Sequence, residues 1–180
     1  MIPAWKDLKM GEEFLEDLNR GSAVAFLEQL RHVFEHSPWV VEAAASERPF
    51  YSLKALQATF EKILYAAPVE QQLALIRAHP DLAAKLNQLP KLTDFSQAEQ
   101  SKAGFSSLPE ATLERMRVLL KAYRERFGHP FILCVTEHPA ADVLPILEVR
   151  VEATAEAERL ACLFQIARIG WHRICSLAVA

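Results

Sequence analysis

The sequence predicts a single all-α domain, residues 1–180, built from about eight or nine helices. Three observations lead there. Apolar residues recur three and four apart through most of the chain, the spacing that lines one face of a helix. Serines and prolines stand just before these stretches, where a helix start needs a side-chain acceptor or tolerates a missing N–H. Only one run, Phe131-Ile132-Leu133-Cys134-Val135-Thr136, has β character, and with no second run to pair with it cannot form a sheet.

Taken in order, residues 12–18 make a short helix closed near Gly21. Ser22 caps the next, with Val24, Leu27, Leu30, Val33 and Phe34 as its apolar face. Pro38 starts a short helix through Trp39, Val40, Ala43 and Ala44, ended by Arg48-Pro49. Ser52 caps a helix whose buried stripe is Leu53, Leu56, Phe60, Ile63 and Leu64. Pro68 opens another, through Leu73 and Ile76 to His79, where Pro80 stops it. A short helix from Asp81 leads into a loop over residues 89–95, and Ser96 opens a helix with Gly104 near its end. Pro109 starts a longer helix through Leu113, Met116, Leu119, Leu120 and Tyr123, halted by Gly128-His129-Pro130. The β-like run follows, either as a buried extended segment or as the first turn of a helix. Residues 140–153 and 154–177 finish the chain as helices, with Pro145 interrupting the first and marking its effective start.

Composition narrows the function classes. The net charge is −3 and no Lys/Arg run exists to neutralise a row of phosphates, which argues against a nucleic-acid partner. Cys134, Cys162 and Cys175 show no CxxC spacing and sit in apolar surroundings, as reduced thiols of a cytoplasmic protein do. The N-terminus lacks a basic start followed by an apolar run, no stretch has membrane-spanning length, and Ala178-Val179-Ala180 is not a peroxisomal address. The expectation is a cytoplasmic protein with no membrane partner. The glycines form no phosphate cradle and no Gly-x-Ser-x-Gly elbow is present.

Candidate chemistry centres on two short strings. In Ala78-His79-Pro80-Asp81-Leu82-Ala83, His79 is an imidazole that titrates near neutrality, placed where a helix must stop. In Ser96-Gln97-Ala98-Glu99-Gln100, Glu99 is a carboxylate in the first turn of a helix. A histidine and a glutamate on separate rigid termini suit general acid/base work. Each also has a structural use: His79 complements a helix macrodipole, and Glu99 completes a capping box with Ser96. His32 and His36, four apart, put two imidazoles on one helical face, but without the HExxH arrangement or a third ligand they read as half-exposed side chains and not as a metal site. His129 and His138 read as loop residues. In the last helix, Leu160, Leu163, Phe164, Ala167, Trp171 and Ile174 form one apolar face. Cys162, Ile166, Ile169 and Arg173 form a neighbouring one that ends in a guanidinium, which either snorkels to solvent or projects a donor fork into a pocket.

These strings resemble the OHCU decarboxylases. The resemblance is carried by His79-Pro80-Asp81-Leu82-Ala83, by Ser96-x-x-Glu99-Gln100 with Ala103-Gly104, and by Tyr123-x-x-Arg126-Phe127-Gly128-x-Pro130-Phe131. Ser46-x-Arg48-Pro49-Phe50, Glu158-x-x-Ala161 and Ile169-x-x-x-Arg173 extend it over nearly the whole chain. It implies an all-helical, cofactor-free, usually dimeric enzyme that converts 2-oxo-4-hydroxy-4-carboxy-5-ureidoimidazoline to (S)-allantoin, the last step from urate. It implies His79, Glu99 and Arg173 as catalytic residues. Substrate contacts fall on Pro80, on Ser96, Gln97, Ala98, Glu99 and Gln100, and on the backbone of Phe131, Ile132, Leu133, Cys134 and Val135. Two positions depart from the family pattern: His129 replaces a large apolar residue, and Ala153 replaces an asparagine.

The substrate carries its own electron sink, a C=N bond beside the carbon bearing the carboxylate and hydroxyl. Neither pyridoxal phosphate nor thiamine is needed, so no cofactor is expected. Two other readings stand beside this one: a non-catalytic helical module that binds a partner helix, and a lyase or hydrolase acting on another ureido compound.

Overall fold

The computed structural model describes residues 5–34, 36–82 and 105–179. Among them are eight α-helices and no strand: α1 Trp5–Arg20, α2 Ala23–Leu30, α3 Pro38–Ala45, α4 Leu53–Ala66, α5 Val69–Ala78, α6 Glu110–Phe127, α7 Ala140–Arg150 and α8 Ala155–Leu177. A short 3₁₀ turn, Phe105–Ser107, precedes α6. The all-α class read from the sequence holds. No helix of the described residues is long and apolar enough to cross a membrane. The chain divides into two compact units: residues 1–78 with 166–180, and residues 79–165.

In the first unit the starts of α2 to α5 follow the sequence, whereas α1 begins at Trp5 and not at the expected residue 12. The Ser22 and Ser52 side chains accept from the amides of Ala25 and Ala55 and cap α2 and α4, and Pro38 sits in the first turn of α3. Phe26, Leu30, Val33, Phe34, Val40, Leu56, Phe60 and Leu64 are buried, and the rings of Phe34 and Phe60 meet edge to face at 5.0 Å. Gly170 of α8 lies under the Phe34 ring, where an added Cβ would stand 3.1 Å from two ring carbons. The apolar face of α2 differs from the one expected: Val24 is 70% exposed, and Phe26 takes its place because Phe26 and Leu30 share one face of the short helix.

Polar side chains tie the loops of this unit. Arg48 donates to the carbonyls of Ala45, Leu18 and Gly21, with its guanidinium over the Phe26 ring. Asn19 exchanges two hydrogen bonds of 2.8 Å with the backbone of Phe50. The string Ser46-x-Arg48-Pro49-Phe50 is thus a scaffold element that fixes the end of α1.

In the second unit, α6 and α7 bury Leu113, Met116, Leu120, Tyr123, Val143 and Leu147 in one cluster with Phe131 and Leu133. Gly128 ends α6 in the left-handed region at φ 70, with its N–H on the carbonyl of Arg124. Pro145 does not mark the start of α7, which runs from Ala140 straight through it. Proline removes the bond to the carbonyl four residues back, but Pro145 and Ala141 are exposed, so water can take that carbonyl. The apolar stripe expected on α8 is only partly buried. Leu163, Ala167 and Ile174 are inside, whereas Leu160 and Phe164 are 41% and 52% exposed. The predicted elements between Ala83 and Gly104, including the helix opened by Ser96, lie outside the described residues.

Candidate active site

Helix α5 buries Gln72, Leu75 and Ile76, and the same spacing carried to 79 puts an imidazole one residue past the last turn. His79 is 8% exposed. Pro80 after it prevents the helix from continuing. Asp81 forms an ion pair with Arg124 of α6, which pins the chain immediately beyond the His79-Pro80 step. An imidazole on a rigid terminus, sheltered from water and held on its C-terminal side, suits directed proton transfer.

Residues 131–134 belong to no helix or strand and are buried, with Phe131, Ile132, Leu133 and Cys134 at most 7% exposed, and Val135 is half-buried. Of the two readings the sequence allowed for this run, the first turn of a helix is not observed, and the segment is buried as the other reading expects. Its polar backbone is held group by group. The Ile132 carbonyl accepts from Arg150 Nη1 at 2.6 Å, and the Cys134 N–H donates to Gln165 Oε1 at 2.8 Å. The Val135 N–H donates to the Leu133 carbonyl, and the Glu137 N–H to that of Cys134. Because the Cys134 amide has its one proton engaged inside the protein, a backbone donor to a small molecule falls to other groups of the segment.

Behind this segment lies a buried polar network. Glu158 is fully buried and Arg150 is 9% exposed. Arg150 Nε lies 3.1 Å from each Glu158 oxygen, and Nη2 lies 2.5 Å from Oε1. The Tyr123 hydroxyl donates to the same Oε1, and the Cys162 thiol lies 3.3 Å from Arg150 Nη2. Burial, reinforced by the neighbouring Cys162 and Glu158, pushes the Tyr123 hydroxyl well above its ordinary range. Burial likewise pushes the Cys162 thiol up to about 12. For Arg150, burial acts to lower the value, but the hydrogen bonds to Glu158 and the neighbouring groups outweigh it and leave it raised. Tyr123 and Cys162 are therefore neutral donors near pH 7. Tyr123 and Glu158 stood in the sequence as members of recognisable strings, but the pairing of Arg150 with Glu158 was not read there. An arginine ending one helix and a glutamate in the first turn of the next were its only signal.

Arg173 is half-buried near the end of α8, and its Nη1 donates to the carbonyls of His32 and Val33 at 3.0 and 2.9 Å. These carbonyls belong to the turn after α2, so one guanidinium nitrogen is held on backbone. The expectation that His32 and His36 share a helical face is not met. Helix α2 ends at Leu30, His36 lies at φ 47, and His32 Nε2 accepts from Arg31 Nε at 2.9 Å. The four-residue spacing brings imidazoles together only while a helix lasts.

His129 lies in the loop after α6, as read from the sequence, and is buried. It is 3% exposed, stacked on Phe127 and edge-on to Tyr123, where its ring replaces an apolar side chain by aromatic packing. Ala153 lies in the turn after α7; its N–H donates to the Arg150 carbonyl and its own carbonyl accepts from Arg126. Of the sequence-predicted site residues, His79, Pro80 and the 131–135 segment belong to the second unit and Arg173 to the first. Ser96, Gln97, Ala98, Glu99 and Gln100 lie outside the described residues.

Comparison with known proteins bears on this arrangement. The family model described as OHCU decarboxylase matches residues 19–175. A 2-oxo-4-hydroxy-4-carboxy-5-ureidoimidazoline decarboxylase of Haloferax volcanii is 35% identical over 171 residues, covering 95% of this chain and 96% of that protein. The uric acid degradation bifunctional protein PucL of Bacillus subtilis is 36% identical over 163 residues, covering 91% of this chain and 32% of that larger protein. A crystal structure of (S)-allantoin synthase superimposes with a TM-score of 0.73 at 30% identity over 91% of this chain. This chain spans about half of that one, 53%.

Proposed function

The chain belongs to the OHCU decarboxylase family, and from that premise we propose how its residues decarboxylate 2-oxo-4-hydroxy-4-carboxy-5-ureidoimidazoline to (S)-allantoin. The enzyme is a carboxy-lyase of urate degradation. The observation that most supports the assignment of its chemistry is His79, buried and held at the end of α5 between a helix stop and an ion-paired aspartate.

Loss of CO₂ breaks the bond between the ring carbon and its carboxylate. The electron pair forms a double bond to the carbon that carries the ureido group, and the C=N electrons move onto the ring nitrogen, which takes a proton and leaves an enol. The hydroxyl proton then departs, and a proton is added to one face of the carbon that carries the ureido group. In this reading His79 and Glu99 hold the hydroxyl and carboxylate side and one of them governs the proton. Pro80 and the residues from Ser96 to Gln100 frame the same side. Arg173 lies against the ring or ureido oxygens, where negative charge grows as CO₂ leaves. A clamp on the departing carboxylate would instead stabilise the ground state. Phe131 and Ile132 keep the leaving carboxylate poorly hydrated. The carbonyls of His32 and Val33 hold Nη1 of Arg173, and the substrate is met by its other donors in this reading.

The whole of residues 1–180 acts as one catalytic domain in this reading, as a cytoplasmic homodimer with neither metal nor organic cofactor. The electron sink within the substrate is the reason: no Lewis acid or carbonyl reagent is required to receive the pair. Protein pretreated with EDTA and desalted should therefore accelerate CO₂ release from substrate generated in situ from urate by the two upstream activities, as fully as untreated protein does. Loss of that acceleration, restored by zinc, would show that a metal is required. Sedimentation equilibrium at micromolar concentration should return twice the chain mass; a monomer mass would remove the dimer.

A further inference from the structure

We propose that Arg150 and Glu158 are positioning residues for the reaction: a buried clamp that holds the 131–135 segment at the substrate without touching substrate. This rests on the reading that the segment meets the ureidoimidazoline. The segment has no helix or ladder to set its register, so its placement must come from side chains. Arg150 supplies two of the fixing contacts. Its Nη1 holds the Ile132 carbonyl at 2.6 Å, and its guanidinium carbon lies 4.5 Å from the centre of the Phe131 ring. Gln165 supplies a third, on the Cys134 amide.

Glu158 in turn fixes Arg150. The carboxylate takes Nε and Nη2 together, leaving Nη1 aimed at the segment, a division of labour that a planar fork allows and an ammonium does not. The Tyr123 hydroxyl reaches the same carboxylate from α6, so the clamp joins residues of α6, α7 and α8 that all belong to the second unit. Stability alone is a poor reason for such a pair. Taking two charges out of water is costly, and apolar side chains of similar volume often serve a core as well or better. What an apolar replacement cannot do is hold a particular backbone carbonyl at a fixed point.

The experiment uses two variants of the full chain. Arg150→Met/Glu158→Leu/Tyr123→Phe replaces the network by apolar groups, and Arg150→Lys keeps the buried charge pair but gives up the fork. Each is read by melting temperature, by hydrogen exchange of the Cys134 amide, and by kcat and KM with substrate generated in situ. The expected result is a folded triple variant whose Cys134 amide exchanges at least about tenfold faster and whose kcat/KM falls at least about tenfold, mainly through KM, with Arg150→Lys between it and the parent. A folded triple variant with parental exchange and parental KM would overturn the clamp, and so would collapse of both variants, which would assign the pair to stability alone. Should only the triple variant fail to fold, Arg150→Lys carries the same readouts. Faster exchange with unchanged kinetics would also overturn the positioning role, and would locate the error in the placement of the segment at the substrate. A parent protein that does not accelerate allantoin formation would instead remove the decarboxylase reading itself.

Discussion

Replacing His79 with alanine is expected to lower turnover by about two to four orders of magnitude while the fold persists, because a positioned general acid or base contributes that much. The ring is 8% exposed, so truncation also removes packing. A loss of about 2 kcal/mol is the scale of a buried side chain cut back to alanine. In a chain of 180 residues this lowers the melting temperature by roughly 4–8 °C, far short of unfolding at assay temperature. His79→Gln separates the two effects further, since it keeps most of the volume and a hydrogen-bonding group but not an imidazole's ability to exchange a proton near neutrality. Turnover of either variant at the parental level would leave His79 as a packing residue that complements the end of α5.

Glu99→Gln should lower activity at least about a hundredfold with a nearly parental melting temperature. Ser96-x-x-Glu99 has the form of a capping box, and glutamine serves at its third position as well as glutamate. A capping role therefore predicts little change in either measurement, well below the ~1 kcal/mol that follows loss of a cap. A charged acid/base or electrostatic role predicts that the isosteric change removes both the charge and the proton-accepting oxygen. Melting curves taken beside decarboxylation rates separate these outcomes. Parental activity with a lowered melting temperature would leave Glu99 as a cap.

Helices were legible in this sequence wherever a local signal fixed them. Ser22, Ser52 and Pro38 mark starts because they act within one turn, and Gly128 marks a stop because few other residues adopt its left-handed backbone. Where the local pattern leaves a helix boundary or a residue's burial open, reading failed. Pro145 interrupts nothing, because the bond it removes faces solvent. His32 and His36 share no face, because α2 ends at Leu30 before the spacing can act. His129 lies in a loop as read, but its burial against Phe127 was not legible from its neighbours Gly128 and Pro130.

The placement of the candidate site residues divides in the same way. His79 was legible because Pro80 requires a helix end there, and the 131–135 run because its β character has no pairing partner. Arg173 was legible as the end of an apolar row, but its anchoring on His32 and Val33 spans a separation of about 140 residues that no local pattern carries. The Arg150–Glu158 pair was hidden for a related reason. Eight residues separate the partners across a helix–helix turn, where neither helical nor strand periodicity relates two positions. Arg48 was quoted for its string but acts as a tie between carbonyls, a role set by the end of α1 and visible only once the chain has folded.

Optical activity of the product tests the decarboxylase chemistry most directly. The uncatalysed breakdown of the ureidoimidazoline protonates both faces of the enol, so it yields racemic allantoin, whereas a site that delivers the proton from one side yields one enantiomer. With urate and the two upstream activities supplying substrate, addition of this protein should make circular dichroism of (S)-allantoin grow in step with CO₂ release, and His79→Ala should abolish the increase. Allantoin that forms at the uncatalysed rate and remains racemic in the presence of the folded protein would contradict the assignment.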